Sequence, residues 1–82
     1  MNIENIKNEE WLEIIKNCKE LDLSSFSFKI LLGQLKTKIE LSGDAETLNS
    51  SIKDLKKYIM KYNKLPNLQN DLNKIFNKKN IH

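Results

Sequence analysis

The segment from Asp44 to Lys64 most constrains the fold of this chain. Its large apolar residues follow one another at helical intervals of four, three, four and three, and they are Leu48, Ile52, Leu55, Ile59 and Tyr62. This spacing places all five on one side of an α-helix. A helix with one apolar side is not stable alone in water, so the rest of the chain must cover that side.

The remaining sequence supplies three further amphipathic segments. We predict helices over about residues 8–20, 26–42, 44–64 and 66–78. The whole chain has only two glycines, one proline and one cysteine, which favours a few long helices and rules out an intramolecular disulfide. Short links between such helices predict one all-α domain over residues 1–82, a small antiparallel four-helix bundle.

The predicted core consists of the apolar residues that share one side of each helix. In chain order they are Trp11, Leu12, Ile14, Ile15, Cys18, Phe28, Leu31, Leu32, Leu35, Ile39, Leu48, Ile52, Leu55, Ile59, Tyr62, Leu68, Leu72, Ile75 and Phe76. Residues 21–25 are predicted to be a connection.

Polar residues mark where the first two helices begin. Asn8, followed by acids that favour a helix N-terminus, predicts an N-cap. The second helix is predicted to begin near Ser25 or Ser27. If Ser27 is the cap, Phe26 precedes it and is expected to pack onto Leu31 as a hydrophobic staple.

Glycine, aspartate and proline mark the later boundaries. Gly43 suits a left-handed helix C-cap, Asp44 suits the next N-cap, and Pro66 suits a first helical turn. Gly33 interrupts the second helix, which is explained either by a helix that crosses closely there or by simple tolerance of a weak helix former.

Catalytic chemistry has little support in this sequence. The one histidine is the terminal His82, and Cys18 lies on an apolar stripe, where a buried structural thiol is expected. Glu9 and Glu13 share a helix side without a histidine or a second carboxylate pair, so we expect a solvated surface there. No glycine-rich phosphate loop is present. We therefore expect no enzyme activity, cofactor or metal.

The positive charge is concentrated in the second half of the chain. Residues 44–82 carry eight lysines and four acids, whereas residues 1–43 carry six lysines and seven acids. The chain has no arginine, which weakens a sequence-specific nucleic-acid role. A helix-turn-helix comparison also fails, because Ile39 and Asn49 occupy its contact positions and Asp44 and Glu46 would repel phosphate. Nucleic-acid binding is therefore not expected.

A lysine-rich surface is the most distinctive candidate for function. Lysines lie opposite the apolar stripe of the third helix, tyrosines lie beside them, and the fourth helix adds two lysines; the candidate partner-binding residues are Lys53, Lys57, Tyr58, Lys61, Tyr62, Lys64, Lys74 and Lys78. Such a surface either keeps a small domain soluble or docks an anionic protein or membrane surface. Tyrosines beside charge are typical of recognition surfaces, although Tyr62 also fits the core.

The start of the chain has no apolar signal-peptide region, and no segment is apolar enough to span a membrane. We therefore expect a cytoplasmic protein. It is expected to be a monomer or a weak homodimer.

The segments FKILLGQLKTKI, LNSSIKDLKKYI and NKLP followed by LQNDLNKIF resemble the immunity proteins that protect producers of pediocin-like bacteriocins, over about residues 28–76. The resemblance implies an antiparallel four-helix bundle that acts in the cytoplasm, recognises a bacteriocin-engaged sugar permease at the inner membrane face and blocks its pore. It also implies that the C-terminal half sets specificity, here through Lys57, Tyr58, Lys61, Tyr62 and Lys74. The alternatives are a phage- or plasmid-type adaptor or inhibitor that binds another protein and, third, a nucleic-acid-associated regulator.

Overall fold

Four α-helices account for most of the chain. The computed structural model describes the backbone of residues 5–80 and the side chains of residues 5–76. The helices are α1 (Asn8–Lys16), α2 (Phe26–Leu41), α3 (Ala45–Tyr62) and α4 (Pro66–Asn80), and a 3-10 turn at Cys18–Glu20 follows α1. No strand occurs between residues 5 and 80. The prediction of a small all-α helical bundle is confirmed.

The first helix is shorter than its apolar pattern predicted. It ends at Lys16 because Asn17 leaves the helical conformation, and Cys18 begins the 3-10 turn. The following connection contributes Leu23 to the core, where only 5% of its surface is exposed. Periodicity missed Leu23 because the residue is not part of a helix.

The predicted cap at Asn8 is wrong. Lys7 is the N-cap residue of α1, its side chain makes no capping hydrogen bond, and Asn8 is already helical. Glu9 and Glu10 do occupy the first turn, where their charge favours the helix dipole.

The turn between α2 and α3 follows local sequence preferences. Gly43 has a φ of +68°, the left-handed conformation that glycine adopts without a Cβ penalty. The Asp44 carboxylate accepts a hydrogen bond from the Thr47 backbone N–H at 2.7 Å and so caps α3. Both predictions are confirmed.

The core lies between the apolar sides of all four helices. α2 packs against both α1 and α3, and α1 also packs against α3. The buried apolar residues are Trp11, Ile14, Ile15, Cys18, Leu23, Phe28, Leu32, Leu35, Ile39, Ile52, Leu55, Ile59, Leu68, Leu72 and Ile75. Leu12, Leu31, Leu48, Tyr62 and Phe76 are half-buried against them. The predicted core is thus reproduced, and α4 contributes Leu68, Leu72 and Ile75 to it.

The close helix crossing that is one explanation for Gly33 does not occur among the residues that the structure describes. A Cβ placed on Gly33 would have nothing within 4 Å. The glycine therefore faces open space.

Candidate functional site

Three aromatic rings extend from the core to the surface beside α3. Phe28, which is fully buried, stacks on Tyr58 with 5.9 Å between ring centroids and 13° between planes. Tyr58 in turn contacts Tyr62 at 4.7 Å. Both tyrosines are half-buried against the core. Each is therefore partly a core residue and partly a surface residue. For Tyr62 this joins the two interpretations that the sequence left open, whereas the packing of Tyr58 against the core was not predicted.

A groove of about 580 Å³ lies in front of these tyrosines. The start of α2 forms one wall, and the link from α3 to α4 forms the other. The lining residues are Ser25, Phe26, Ser27, Tyr58, Tyr62, Leu65, Pro66, Asn67 and Leu68. Two apolar side chains stand at its edges largely in solvent, Phe26 with 73% and Leu65 with 52% of its surface exposed. We call this feature the tyrosine groove.

Phe26 is in the groove because the expected staple does not form. Ser25, not Ser27, is the N-cap residue of α2, so Phe26 is the first helical residue rather than the one before the cap. This shift turns its ring away from the core. The predicted start of α2 near Ser25 or Ser27 is confirmed at Ser25, and the packing of Phe26 onto Leu31, which was expected only for a cap at Ser27, does not form.

A buried carboxylate of α4 binds the start of α2, which forms one wall of the tyrosine groove. Asp71 of α4 is fully buried and accepts hydrogen bonds from the backbone N–H groups of Ser24 and Ser25, each at 2.7 Å, and from the Ser24 hydroxyl at 2.9 Å. The Ser25 side chain makes no capping bond. Asp71 thus caps α2 from a distant part of the chain and fixes the start of α2 against α4.

The predicted lysines divide into three groups. Lys53, Lys57, Lys61 and Lys64 are exposed on or just after α3. The ammonium of Lys61 lies 5.4 Å from the Tyr62 ring centroid, within cation–π range at the edge of the groove. The ammonium of Lys74 donates to the Asp22 carbonyl at 3.1 Å and so ties α4 to the connection before α2. The side chain of Lys78 lies outside the described residues.

The described residues offer little for catalysis. Among them, no group of three or more His, Cys, Asp or Glu side chains could hold a metal ion. The Cys18 thiol is a free thiol buried in the core. None of the helices in the part of the chain that the structure describes is long and apolar enough to cross a membrane.

The sequence pattern indicates that Asp71 needs hydrogen-bond partners, but it gives little indication that Phe26 and Leu65 line a groove. Asp71 falls within the apolar stripe of α4, three residues after Leu68 and four before Ile75. A carboxylate on a core-facing stripe must find hydrogen-bond donors. Leu65, next to Pro66, lies between two predicted helices, and helical periodicity carries no information on apolar residues outside helices.

Comparisons with protein-family models, with curated proteins and with solved structures found no match.

Proposed function

We propose that this chain is a non-catalytic binding module that recognises a segment of another protein through the tyrosine groove. The observation that carries the proposal is an apolar groove with half-buried tyrosines on its floor and solvent-exposed Phe26 and Leu65 at its edges. Tyrosine combines a large apolar surface with a polar tip and loses little conformational entropy on binding, which suits it to recognition. Exposed large apolar residues around a concave surface are typical of interaction sites.

The charge beside the groove specifies the chemistry of the partner. Lys57, Lys61 and Lys64 are exposed along the same end of α3 and its link, and α3 carries only Glu46 and Asp54 as acids. The field around the groove is therefore positive, which attracts carboxylates and disfavours basic partners. We infer a partner segment with an apolar side chain that enters the groove and acidic residues on either side of it.

Bacteriocin immunity is the specific role that we propose for this module. It is supported by the resemblance over residues 28–76 and by the fact that the resemblance implied a small all-α fold, which this chain has. In this role the protein acts in the cytoplasm, docks on a membrane permease engaged by a bacteriocin, and uses the α3 lysines for peripheral contact with anionic lipid.

A survival assay tests the immunity role. The chain is expressed in bacteriocin-sensitive cells that are then challenged with a panel of bacteriocins. We expect survival against at least one of them. Leu65→Asp should abolish protection because it places a charge at the groove edge, whereas Met60→Asp, at a 63% exposed site that does not line the groove, should retain it. Unchanged killing across the panel by cells that express the native chain would exclude this role.

A peptide titration tests the binding module independently of immunity. A short peptide with one leucine between glutamates is added to the labelled protein, and amide NMR shifts are followed. We expect shifts centred on Tyr58, Tyr62 and Leu65, with affinity in roughly the millimolar to micromolar range. The matched peptide with lysines in place of glutamates should bind more weakly. Equal binding of the two peptides, or shifts elsewhere, would contradict the proposed groove.

Two further results with the same protein distinguish the remaining alternatives. A mobility shift with duplex DNA that weakens steeply with salt and is lost when Lys53, Lys57 and Lys61 are changed to Glu would favour a nucleic-acid role. If peptide binding is retained and immunity is absent, the adaptor or inhibitor alternative is favoured.

A further inference from the structure

Helix α2 carries a second apolar stripe on the side away from the core. Phe26, Ile30 and Leu41 are 73%, 44% and 84% exposed, whereas Phe28, Leu32, Leu35 and Ile39 are buried. At about 100° per residue, these three exposed residues lie within one narrow sector of the helix, together with Gly33 and Thr37. We call this set the outer stripe of α2. Its steps of four, three, four and four are those of a helix that packs on another helix.

The middle of the outer stripe is flat. Gly33 has no neighbour within 4 Å of a built Cβ, so no contact among the described residues requires a glycine there. The Thr37 hydroxyl donates to the Gly33 carbonyl at 3.1 Å and is thereby held against its own helix. A flat centre between large apolar ends lets a second helix approach closely, as small residues do at close helix crossings.

We propose that the outer stripe of α2 is the interface of a homodimer in which two α2 helices pack antiparallel and cross beside Gly33 and Gln34. The stripe is complementary to itself in this arrangement. With a two-fold axis at Gln34 and a rise of about 1.5 Å per residue, Phe26 lies about 12 Å to one side of the axis and Leu41 about 10 Å to the other. Phe26 of each copy therefore meets Leu41 of its partner copy, and Ile30 meets Thr37.

The charges along the stripe fit the same arrangement. Lys29 and Glu40 are exposed and lie on one flank, within about 20° of each other on the helix. A two-fold axis perpendicular to both helices brings each flank against the same flank of the other copy. Lys29 stands about 7.5 Å from the axis and Glu40 about 9 Å on the other side. Each Lys29 therefore comes level with a Glu40, which forms two ion pairs.

The other charged residues of this helix do not oppose the pairing. Lys36 shares the flank of Lys29 but lies farther from the stripe and is half-buried. The opposite flank carries Ser27, Gln34 and Lys38, and in the antiparallel arrangement the two Lys38 residues lie on opposite sides of the axis, about 12 Å apart along the helices. Phe26 belongs both to the outer stripe and to the edge of the tyrosine groove, so the dimer holds two grooves at opposite ends of one interface.

Sedimentation velocity over about 1 µM to 1 mM protein tests the dimer. We expect reversible self-association, since one helix pair buries less area than a standard protein interface. Leu41→Glu should weaken the dimer by roughly tenfold or more, because it places a carboxylate on the apolar contact. Met60→Glu on α3 is the matched control, since this exposed methionine lies outside the stripe, and it should leave the dimer unchanged. A native chain that stays monomeric at every concentration would overturn the proposal.

Charge reversal tests the antiparallel register. Lys29→Glu and Glu40→Lys should each weaken the dimer, and the double variant should recover most of the native affinity because the pairs re-form with exchanged charges. Both residues are exposed, and circular dichroism should show native helix content in all three variants. A double variant weaker than either single variant, or a dimer indifferent to Leu41→Glu, would show that another surface mediates association. The proposal does not depend on the tyrosine groove, and loss of groove binding would leave it intact.

Discussion

At the scale of single residues, Asp71 does the most to define the shape of the molecule. Its carboxylate is fully buried and serves two backbone N–H groups and one hydroxyl at the start of α2. The Ser25 N–H is one of the first N–H groups of α2, which lack a helical acceptor, and the Ser24 donors belong to the residue before the N-cap. One side chain of α4 therefore holds the start of α2, which is one wall of the tyrosine groove, against α4.

Asp71→Ala should destabilise the protein by about 2–3 kcal/mol, because it leaves these donors near the core without a charged acceptor. Chemical denaturation monitored by circular dichroism measures the change. The exposed Asp54 provides the control, and Asp54→Ala should shift the free energy of unfolding by no more than about 0.5 kcal/mol. Equal effects of the two substitutions would contradict the capping role of Asp71.

Asp44 makes stability depend on pH. The backbone N–H of Thr47, followed by its hydroxyl and then the Ser42 hydroxyl, holds the pKa of the Asp44 carboxyl below its usual range. Because the folded pKa is lower than the unfolded one, the stabilisation is present above the unfolded pKa and is lost as the pH falls through the folded pKa.

The native chain should therefore be more stable than Asp44→Ala at pH 7, and this difference should shrink in acid. Asp44→Asn keeps a capping oxygen that does not titrate, so its advantage over Asp44→Ala should persist in acid. Thermal unfolding of the three proteins between about pH 2 and 7 measures both trends. A constant difference between the native chain and Asp44→Ala over this range would refute the assignment.

At the scale of elements, α2 and its C-terminal turn show two different uses of glycine. Gly33 lies within the helix and faces open space, so its lack of a side chain costs helix stability without improving any contact in the monomer. Gly43 adopts a positive φ that an L-residue rarely takes. The spacing of apolar residues predicted the extent of α2, but it could not reveal which neighbours surround a glycine.

Substitution by alanine should separate the two glycines. Gly33→Ala should raise the free energy of unfolding by about 0.5–1 kcal/mol, because alanine restricts the unfolded chain and favours the helix. Gly43→Ala should lower it by about 1 kcal/mol or more, because φ is +68° there. Denaturation at low protein concentration gives both values. A destabilising Gly33→Ala would show that a close neighbour is present there after all.

At the scale of the whole molecule, one continuous core joins all four helices. α3 contributes Ile52, Leu55 and Ile59 at its centre, as its 4-3-4-3 spacing predicted. The described core includes only two buried polar residues, Asp71 and Ser51. The Ser51 hydroxyl has no hydrogen-bond partner within the described chain, and neither has the Trp11 indole N–H. Stability therefore depends chiefly on apolar packing.

Leu55→Ala should cost about 2–5 kcal/mol, because the site is fully buried and a cavity would remain. Since a domain of this size is expected to have a total stability of only about 4–12 kcal/mol, this loss is a large share of it, and the variant should unfold at a lower temperature and a lower denaturant concentration than the native chain. Met60→Ala, at a mostly exposed site on the same helix, should have little effect. Calorimetry of the two variants measures the loss of stability in each. A small loss for Leu55→Ala would indicate a core that is much looser than described.

Four features were predictable from the sequence. They are the apolar stripes that form the core, the bounds of α2 to α4 within about two residues, the Gly43 turn and the Asp44 cap. Each depends on interactions between residues no more than a few positions apart, where helical spacing and backbone preferences decide the outcome. The partner-binding role of the α3 lysines and the tyrosines stays a prediction. By contrast, three features depended on the tertiary structure. They are the exposure of Phe26, the hydrogen bonds between Asp71 and the start of α2, and the tyrosine groove. Asp71 is 47 positions from Ser24 and 46 positions from Ser25 in the chain. Contacts between residues so far apart depend on which sides of distant helices pack together.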